Sequence, residues 1–397
     1  RSAHRLRHAL IVCQFALAFT LLTGAGLLAL SFAKVTAVSP GFRPENVLTG
    51  VMSLPWIHYK DEKSRFVFLQ KAEQELRVIP GVTAVGFTTN LAFSGDINNN
   101  AISIEGQPPA AGESLRTHYT SGVSGDFFAA MGIPLRQGRF VTDEDSVRGL
   151  RTCVVDEDVA NRYWPGKSPI GRRIFDGVPE EPEKAYTIVG VVGATKITDL
   201  ADKKATGSVY FDYINYASET MSAVLRTARV PQSVGREFQA AVLKVDPEIP
   251  VGDMKPMTAW IDESLVPRRS PMVLGGIFSA VALLLATLGI YGVLAYAVAQ
   301  RRREIGVRMA LGARPRQILG QFLGLGAKII LVGCVLGGIG GWLTGRAMAN
   351  LLFAVRALDA GVFAGTAAML SIVAMAACLA PALRAARVPP MEALRSE

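Results

Sequence analysis

The chain has 397 residues, half of them apolar, and 42 Lys and Arg stand against 33 Asp and Glu for a formal charge of +9. That composition excludes a disordered chain, a collagen-like repeat and a small disulfide scaffold. The surplus is uneven. Residues 34–270 hold 27 basic and 29 acidic side chains, whereas 1–33 and 271–397 together hold 15 and 4. The positive charge therefore belongs to the most apolar parts of the chain, which argues against nucleic acid as a partner.

A helix needs about 20 apolar residues to cross a hydrocarbon core of about 30 Å. Four stretches meet that length: 9–32 and 272–299, both free of charge, then about 322–345 and about 361–383. Lys328 near the start of the third can snorkel to the interface, and Pro381 is the main interruption of the Ala-rich fourth. The first run is too long for a signal peptide, and no small-residue cleavage pattern follows it. Basic residues collect at Arg1, Arg5 and Arg7, at Arg301, Arg302, Arg303, Arg308, Arg314 and Arg316, and at Arg384, Arg387 and Arg395. The connection between spans three and four has only Arg346 and Arg356. The positive-inside rule then predicts both termini and the 300–320 loop in the cytosol, with 34–270 outside.

The expected fold is an α-helical membrane protein of four transmembrane helices, one plus three, with a large extracytoplasmic α+β domain. Residues 1–33 form a tail and first helix, 34–270 the external domain, and 271–397 a three-helix region with a cytosolic loop at 300–320. Cys13, Cys334 and Cys378 lie in the spans and Cys153 is alone outside, so no disulfide forms within the external domain and all four read as buried, inert thiols.

Periodicity in the external segment predicts an extended run at 47–54, a helix at 61–78 stopped by Pro80 and Gly81, and a strand at 82–88. The pattern returns with a strand at 221–226, a helix from Pro231 to about Val245 and the apolar pair Ile249 and Val251. Between them, strands are predicted at 101–105, 117–121, 152–155, 186–192 and 208–213, with short helices at 125–131 and 159–164 and a solvated loop at 176–184. The reading is a β-α-β module with an inserted strand-rich module.

Motifs for catalysis are weak. Gly166-Lys167-Ser168 lacks the first glycine of a phosphate loop, having Asn161 there, and is flanked by Pro165 and Pro169. Gly190 and Gly193 read as part of a buried strand. His58 and His118 are isolated, His4 and His8 suit a membrane interface, and no His-Glu-x-x-His is present. Gly122–Asp126 misses the last glycine of a nucleophile elbow. The triplet Asp156-Glu157-Asp158 is explained by helix capping. No catalytic site, cofactor or metal is expected in the chain.

Two features point to mechanics instead. In the third span Gly333, Gly337, Gly341 and Gly345 recur every four residues, the spacing of close helix contact in lipid, with Gly289 and Gly292 offering the same to a neighbour in span two. In the cytosolic loop Glu304 and Arg308 pair at i, i+4, while Ile305, Met309 and Leu311 offer apolar contacts. Gly312 can stop one helix and Pro315 can start the next. Taken alone, that loop reads equally as a docking helix or as a surface helix held by its arginines against anionic membrane lipid.

That loop, the one-plus-three layout and the tail 388–395 (Val-Pro-Pro-Met-Glu-Ala-Leu-Arg) resemble the FtsX-like permease superfamily of ABC transporters. That superfamily includes the macrolide-exporter (MacB) and lipoprotein-release types. The external stretches 161–166 (Asn-Arg-Tyr-Trp-Pro-Gly) and 169–174 (Pro-Ile-Gly-Arg-Arg-Ile) are similar to the periplasmic core domain of the MacB group. Within the superfamily the chain looks most like the second half of a duplicated orphan permease, and the lack of an initiating Met at Arg1 suits a fragment. The resemblance implies a homodimer, or pairing with a second permease half, and a separate cytosolic ABC ATPase subunit. Its coupling helix would comprise Glu304, Ile305, Val307, Arg308, Met309, Leu311, Gly312 and Ala313. It further implies that ATP-driven closure of the ATPase tilts the first two spans and moves the external domain, for efflux or for mechanical action on a periplasmic client. A membrane-anchored sensor or scaffold is the alternative.

Overall fold

The computed structural model describes residues 2–108, 112–178, 182–202, 206–300, 307–308 and 315–386. It divides into two compact units, one of residues 38–266 and one of 1–37 with 267–397.

The second of these is helical. Helices α1 (Ser2–Thr36), α8 (Val266–Gln300), α9 (Pro315–Ala347) and α10 (Ala360–Ala386) each contain a stretch long and apolar enough to cross a membrane. Pro315 opens α9, where its missing N–H costs nothing. Buried side chains from all four helices, among them Phe15, Phe19, Ile290, Ile330 and Leu370, form one cluster. Cys378 is buried, but Cys334 is half-buried and Cys13 is exposed. This differs from the expected burial of all four thiols. An apolar span has acyl chains as its solvent, so an inert thiol there needs no protein cover.

In the α+β unit the first module is built from β1 (Val47–Ser53), α2 (Glu62–Arg77) and β2 (Val82–Thr88). Its second half is β10 (Thr220–Thr227), a 3-10 turn at Pro231–Val234 running into α6 (Gly235–Val245), and β11 (Gly252–Pro256). Asp61 caps α2 by accepting from the Ser64 N–H at 2.7 Å. The strand order is β11-β1-β10-β2 with every neighbour antiparallel, so β1 and β2 are parallel with β10 between them. Two split β-α-β units are thus interleaved in the ferredoxin-like manner. Helices α2 and α6 bury Phe66, Leu69, Leu76, Phe238 and Val242 against Leu48, Phe87 and Leu225. The other side of the sheet takes α3 (Phe127–Met131), where Gly86 lets the backbone of Phe127 approach, and α7 (Met257–Ser264).

The inserted module closes on itself. Strands β4 (Arg116–Gly125), β3 (Asn99–Ile104), β7 (Arg173–Asp176), β8 (Tyr186–Val192), β6 (Thr152–Asp156) and β9 (Ser208–Asp212) pair in that order, and β9 pairs back to β4. Closure leaves these strands no free edge within the ring. Ile102, Cys153, Val155, Ile188, Val209 and Phe211 pack together with residues of α5 (Glu157–Tyr163). A four-residue β5 (Leu135–Gly138) joins β8 beside β7, and α4 (Asp143–Val147) follows it. The expected β-α-β module and strand-rich insertion are both present. Strands β5, β7 and β11 and helices α4 and α7 were not anticipated, and β4 extends past the expected residue 121 to Gly125. That extension matters, because Gly86–Thr88 of β2 pairs with Val123–Gly125 of β4 and joins the two modules through three residue pairs.

Candidate functional site

The glycines of α9 meet α1 in a fixed register. A Cβ added at Gly333 would come 2.8 Å from the Phe15 Cβ, and one at Gly341 would come 3.2 Å from the Thr23 Cβ. Gly337 faces Phe19, Gly345 faces Leu27 at 3.1 Å and the Ala357 carbonyl at 2.6 Å, and Gly340 faces Thr20. Residues 15, 19, 23 and 27 therefore oppose 333, 337, 341 and 345 in ascending order, so α1 and α9 run parallel. Alternation of four spans requires that of the first and third. The Thr20 hydroxyl lies 2.8 Å from the Ala16 carbonyl and 3.3 Å from the Gly337 carbonyl. At the end of α1, Lys34 Nζ donates to the Ala354 carbonyl at 2.6 Å, and the Phe353 N–H donates to Ser31 Oγ at 2.8 Å. The helix is thus held both to α9 and to the connection that follows it.

Contact between α1 and α8 is sparser. Gly289 faces Gln14, whose Oε1 would lie 2.6 Å from an added Cβ, and Gly275 faces Ala25 at 3.6 Å, while a Cβ added at Gly292 would meet no atom of another element within 4 Å among the described residues. Buried Gln14 Oε1 and Thr23 Oγ1 have no hydrogen-bond partner among the described residues.

Of the predicted coupling residues, Val307 and Arg308 are helical and exposed, and Arg308 Nη1 donates to Gln321 Oε1 of α9 at 3.3 Å. Glu304, Ile305, Met309, Leu311, Gly312 and Ala313 lie outside the described residues, as does the tail 388–395.

The α+β unit carries no catalytic constellation among its described residues, and none of its His, Cys, Asp and Glu groups gathers as a metal site. Lys167 sits in a turn where its N–H donates to the Trp164 carbonyl at 3.0 Å, and Ser168 Oγ donates to Gln137 Oε1. Asp156 caps α5 from a fully buried position, accepting from Val159 N–H at 2.9 Å and Ser208 N–H at 2.8 Å; burial pushes its carboxyl up to about 7. His118 joins no metal-ligating group among the described residues, but its ring is hydrogen-bonded on both sides. Its ring nitrogens face the Thr206 carbonyl and, at 2.8 Å, the Tyr163 hydroxyl, and burial pushes it down to about 4. Ser124 of the incomplete nucleophile elbow donates to Asp143 Oδ1 at 2.9 Å, tying β4 to α4. Trp164 is buried in the inserted module and the Gly171 N–H donates to the Ile188 carbonyl at 2.8 Å. The stretch around 161–174 is thus a folding signature of that module. A polar cleft of about 600 Å³ is lined by Lys63, Asn98, Asn100, Arg151, Asp176 and Tyr216 among others.

The residues that the sequence reading missed are the partners of the glycines: Phe15, Phe19, Thr23 and Leu27. Their spacing of four matches that of the glycines, but within an unbroken apolar run it does not stand out.

Four apolar helices and a large α+β domain between the first and second define a multi-pass membrane protein of the one-plus-three layout. The family model of the MacB-like periplasmic core domain matches residues 18–251, and that of the FtsX-like permease C-terminal region matches 276–390. The macrolide export ATP-binding/permease protein MacB of Shewanella sp. (strain W3-18-1) is 29% identical over 100% of this chain, which covers 59% of that protein. The pyoverdine export ATP-binding/permease protein PvdT of Pseudomonas entomophila (strain L48) is 27% identical over 72% of the chain and 44% of its own length. The ABC transporter permease YknZ of Bacillus subtilis (strain 168) is 25% identical over 81% of the chain and 85% of its own length. Among solved structures, the periplasmic region of MacB from Actinobacillus actinomycetemcomitans aligns with 57% of this chain and 95% of its own, at 13% identity and a TM-score of 0.37. The chain spans about half the length of the two exporters. It belongs to the MacB-like family and is an ABC transporter permease of the MacB type, carrying an FtsX-like C-terminal region.

Proposed function

We propose that the chain couples ATP hydrolysis on a separate cytosolic ABC ATPase to motion of its α+β domain outside a bacterial inner membrane, with both termini in the cytosol. It would act in export or in mechanical action on a periplasmic client. The working unit is a homodimer or a pair with a second permease half. The loop at 304–319 contacts the ATPase, and Pro315 continues that loop directly into α9. The observation that carries this reading is the glycine seam. Because α9 has no side chains at Gly333, Gly337, Gly341 and Gly345 where it meets α1, a push on the cytosolic end of α9 is delivered to α1 without slack. Helix α1 then leads within two residues into the α+β unit. The export named for the macrolide and pyoverdine proteins extends to this chain as class, not as substrate.

The test is affinity purification of the detergent-solubilised chain from its native membrane, with mass spectrometry of what accompanies it, beside a version whose 301–319 loop is a neutral linker. A phosphate-loop ATPase present with the first and lost with the second is expected. Its absence from both would replace this reading by the sensor or scaffold alternative. In the chain with its ATPase, Glu304→Lys should abolish ATP-dependent motion of the α+β domain, and unchanged motion would end the coupling role of Glu304.

A further inference from the structure

Residues 38–46, between α1 and β1, contain no helix or strand, yet they are fastened to both modules of the α+β unit. Their first half grips the inserted module. The Lys196 N–H donates to the Pro40 carbonyl at 2.8 Å, and Gly41, at φ +87°, turns where the Ala194 carbonyl occupies the space of a side chain. Phe42 is buried beside Phe93, 6.2 Å between ring centroids, and the Phe93 N–H donates to the Ile197 carbonyl at 2.7 Å. The second half is fixed elsewhere. The Arg43 N–H donates to the Met131 carbonyl at 2.8 Å. Arg226 of β10 then holds three main-chain carbonyls with one guanidinium: Ala130 at 2.9 Å, Glu45 at 3.2 Å and Arg43 at 2.8 Å. The planar fork that reaches three acceptors at once is a geometry lysine lacks.

The other chain connection is fastened differently. Helix α7 lies on β1 and β11 of the first module, where Trp260 Nε1 donates to Thr49 Oγ1 at 2.8 Å and Thr49 Oγ1 donates to the Lys255 carbonyl at 2.8 Å. The chain from α1 therefore reaches the inserted module before it enters the first, whereas the chain to α8 leaves from the first. Among the described residues the modules share a short ladder of three residue pairs between β2 and β4, flanked by main-chain bonds from Thr89 N–H to the Gly122 carbonyl at 3.0 Å and from Asp126 N–H to the Val85 carbonyl at 2.8 Å. A cleft of about 330 Å³ lies along the strap, lined among others by Ser39, Arg43, Arg136 and Glu157.

We propose that residues 38–46 are a strap through which α1 turns the inserted module against the first module, with Arg226 as its clasp and the β2–β4 ladder as the hinge. This rests on the reading that α1 moves when the ATPase works. Motion shared by α1 and α8 would carry the domain as a whole, while motion of α1 relative to α8 would bend it at the hinge.

Hydrogen exchange with mass spectrometry, on native membranes that contain the chain and its ATPase, with and without Mg–ATP, tests it. In the unmodified chain, nucleotide should change exchange in peptides covering 194–197 and 221–226. Arg226→Met removes three charge-assisted bonds and should speed basal exchange at the Arg43 and Lys196 amides on the order of tenfold or more. It should also abolish the nucleotide response at 194–197 and leave that at 221–226. Should that variant fail to fold, inserting Gly-Ser-Gly between Ala37 and Val38 keeps every strap contact and should cut the response at 194–197 by slackening the link. A full response at 194–197 in the folded variants overturns the strap while leaving the coupling reading intact. No response in the unmodified chain overturns the coupling reading and the strap with it.

Discussion

Phe238 on α6 and Gly337 on α9 both sit at the centre of a helix contact, one filling its interior with a ring and the other leaving its side empty. Phe238 is fully buried against a sheet that carries Leu48 and Phe87. In water the removal of that apolar surface is itself the driving force, at roughly 25 cal/mol per Å². Gly337 lies against Phe19 and the Ala16 carbonyl. Acyl chains are as apolar as leucine, so nothing is gained there by hiding hydrocarbon, and the contact is held by close approach and hydrogen bonds. The difference teaches which substitutions each unit tolerates: the α+β unit should suffer from removal of atoms, the membrane unit from their addition.

The largest expected effect follows from the first half of that contrast. Phe238→Ala should destabilise the α+β unit by about 3–5 kcal/mol through the cavity it leaves. Denaturant midpoints of the solubilised whole chain, followed by exchange of the α6 and β1 amides, measure it. A loss below about 1 kcal/mol would mean that the sheet and helices collapse onto the gap and that the core is less tightly built than its burial indicates. Gly337→Leu comes next, at about 1–3 kcal/mol for overpacking. It should lower the thermal stability of the membrane helices in detergent and separate α1 from α9, while Gly337→Ala should do so less. If Leu at 337 is silent, the α1–α9 seam is not the rigid link on which transmission to α1 depends.

A second comparison sets two buried titratable groups of the inserted module against each other. Asp156 has its carboxyl raised from 3.8 to about 7. Between those values the folded chain keeps a proton that the unfolded chain has released, so its contribution to stability is present in acid and lost as pH rises through 7. His118 is lowered from 6.5 to about 4. Its contribution is present above 6.5 and lost as pH falls to 4. The two slopes oppose each other, each at most about 1.4 kcal/mol per pH unit. Relative to the unmodified chain, Asp156→Asn should add a loss of stability in acid, and His118→Gln should add a gain. Denaturant midpoints between pH 4.5 and 7.5 separate them, and a pH profile unaltered by either change would refute the assignment.

How much of this was readable in the sequence depended on whether the signal was local. Strands β1, β2 and β8 were readable because their apolar residues and turn punctuation lie within seven residues. β5 was not, since all four of its residues are exposed and it exists only because β8 offers an edge. Closure of the inserted ring depends on parallel pairing of β4 with β9, whose partners lie far apart in the chain, and no local pattern encodes it. The glycine row of the seam was plain. Its complement at residues 15, 19, 23 and 27 was hidden, because Phe, Phe, Thr and Leu in an apolar run look like any lipid-facing surface. The strap was hidden for the opposite reason: 38–46, with Pro40, Gly41 and Pro44, has no periodic pattern, and only tertiary contacts fix it, among them Lys196 to Pro40, Arg43 to Met131 and Arg226 to Arg43 and Glu45.

The smallest effect sharpens the contrast within a single helix. Gly289 and Gly292 are three residues apart on α8, and composition alone treats them alike. A Cβ at 289 would come 2.6 Å from Gln14 Oε1, and one at 292 would meet nothing within 4 Å among the described residues. Gly292→Ala should therefore leave helix packing unchanged and gain a few tenths of a kcal/mol, up to about 1, from helix propensity. Gly289→Ala should forfeit part or all of that gain by displacing the Gln14 side chain. If both changes stabilise equally in a detergent melt, α8 does not touch α1 at residue 289 and the two helices meet only further along. If Gly292→Ala is the one that weakens the chain, position 292 packs in the assembled protein against something beyond the described residues, as a second permease unit would provide.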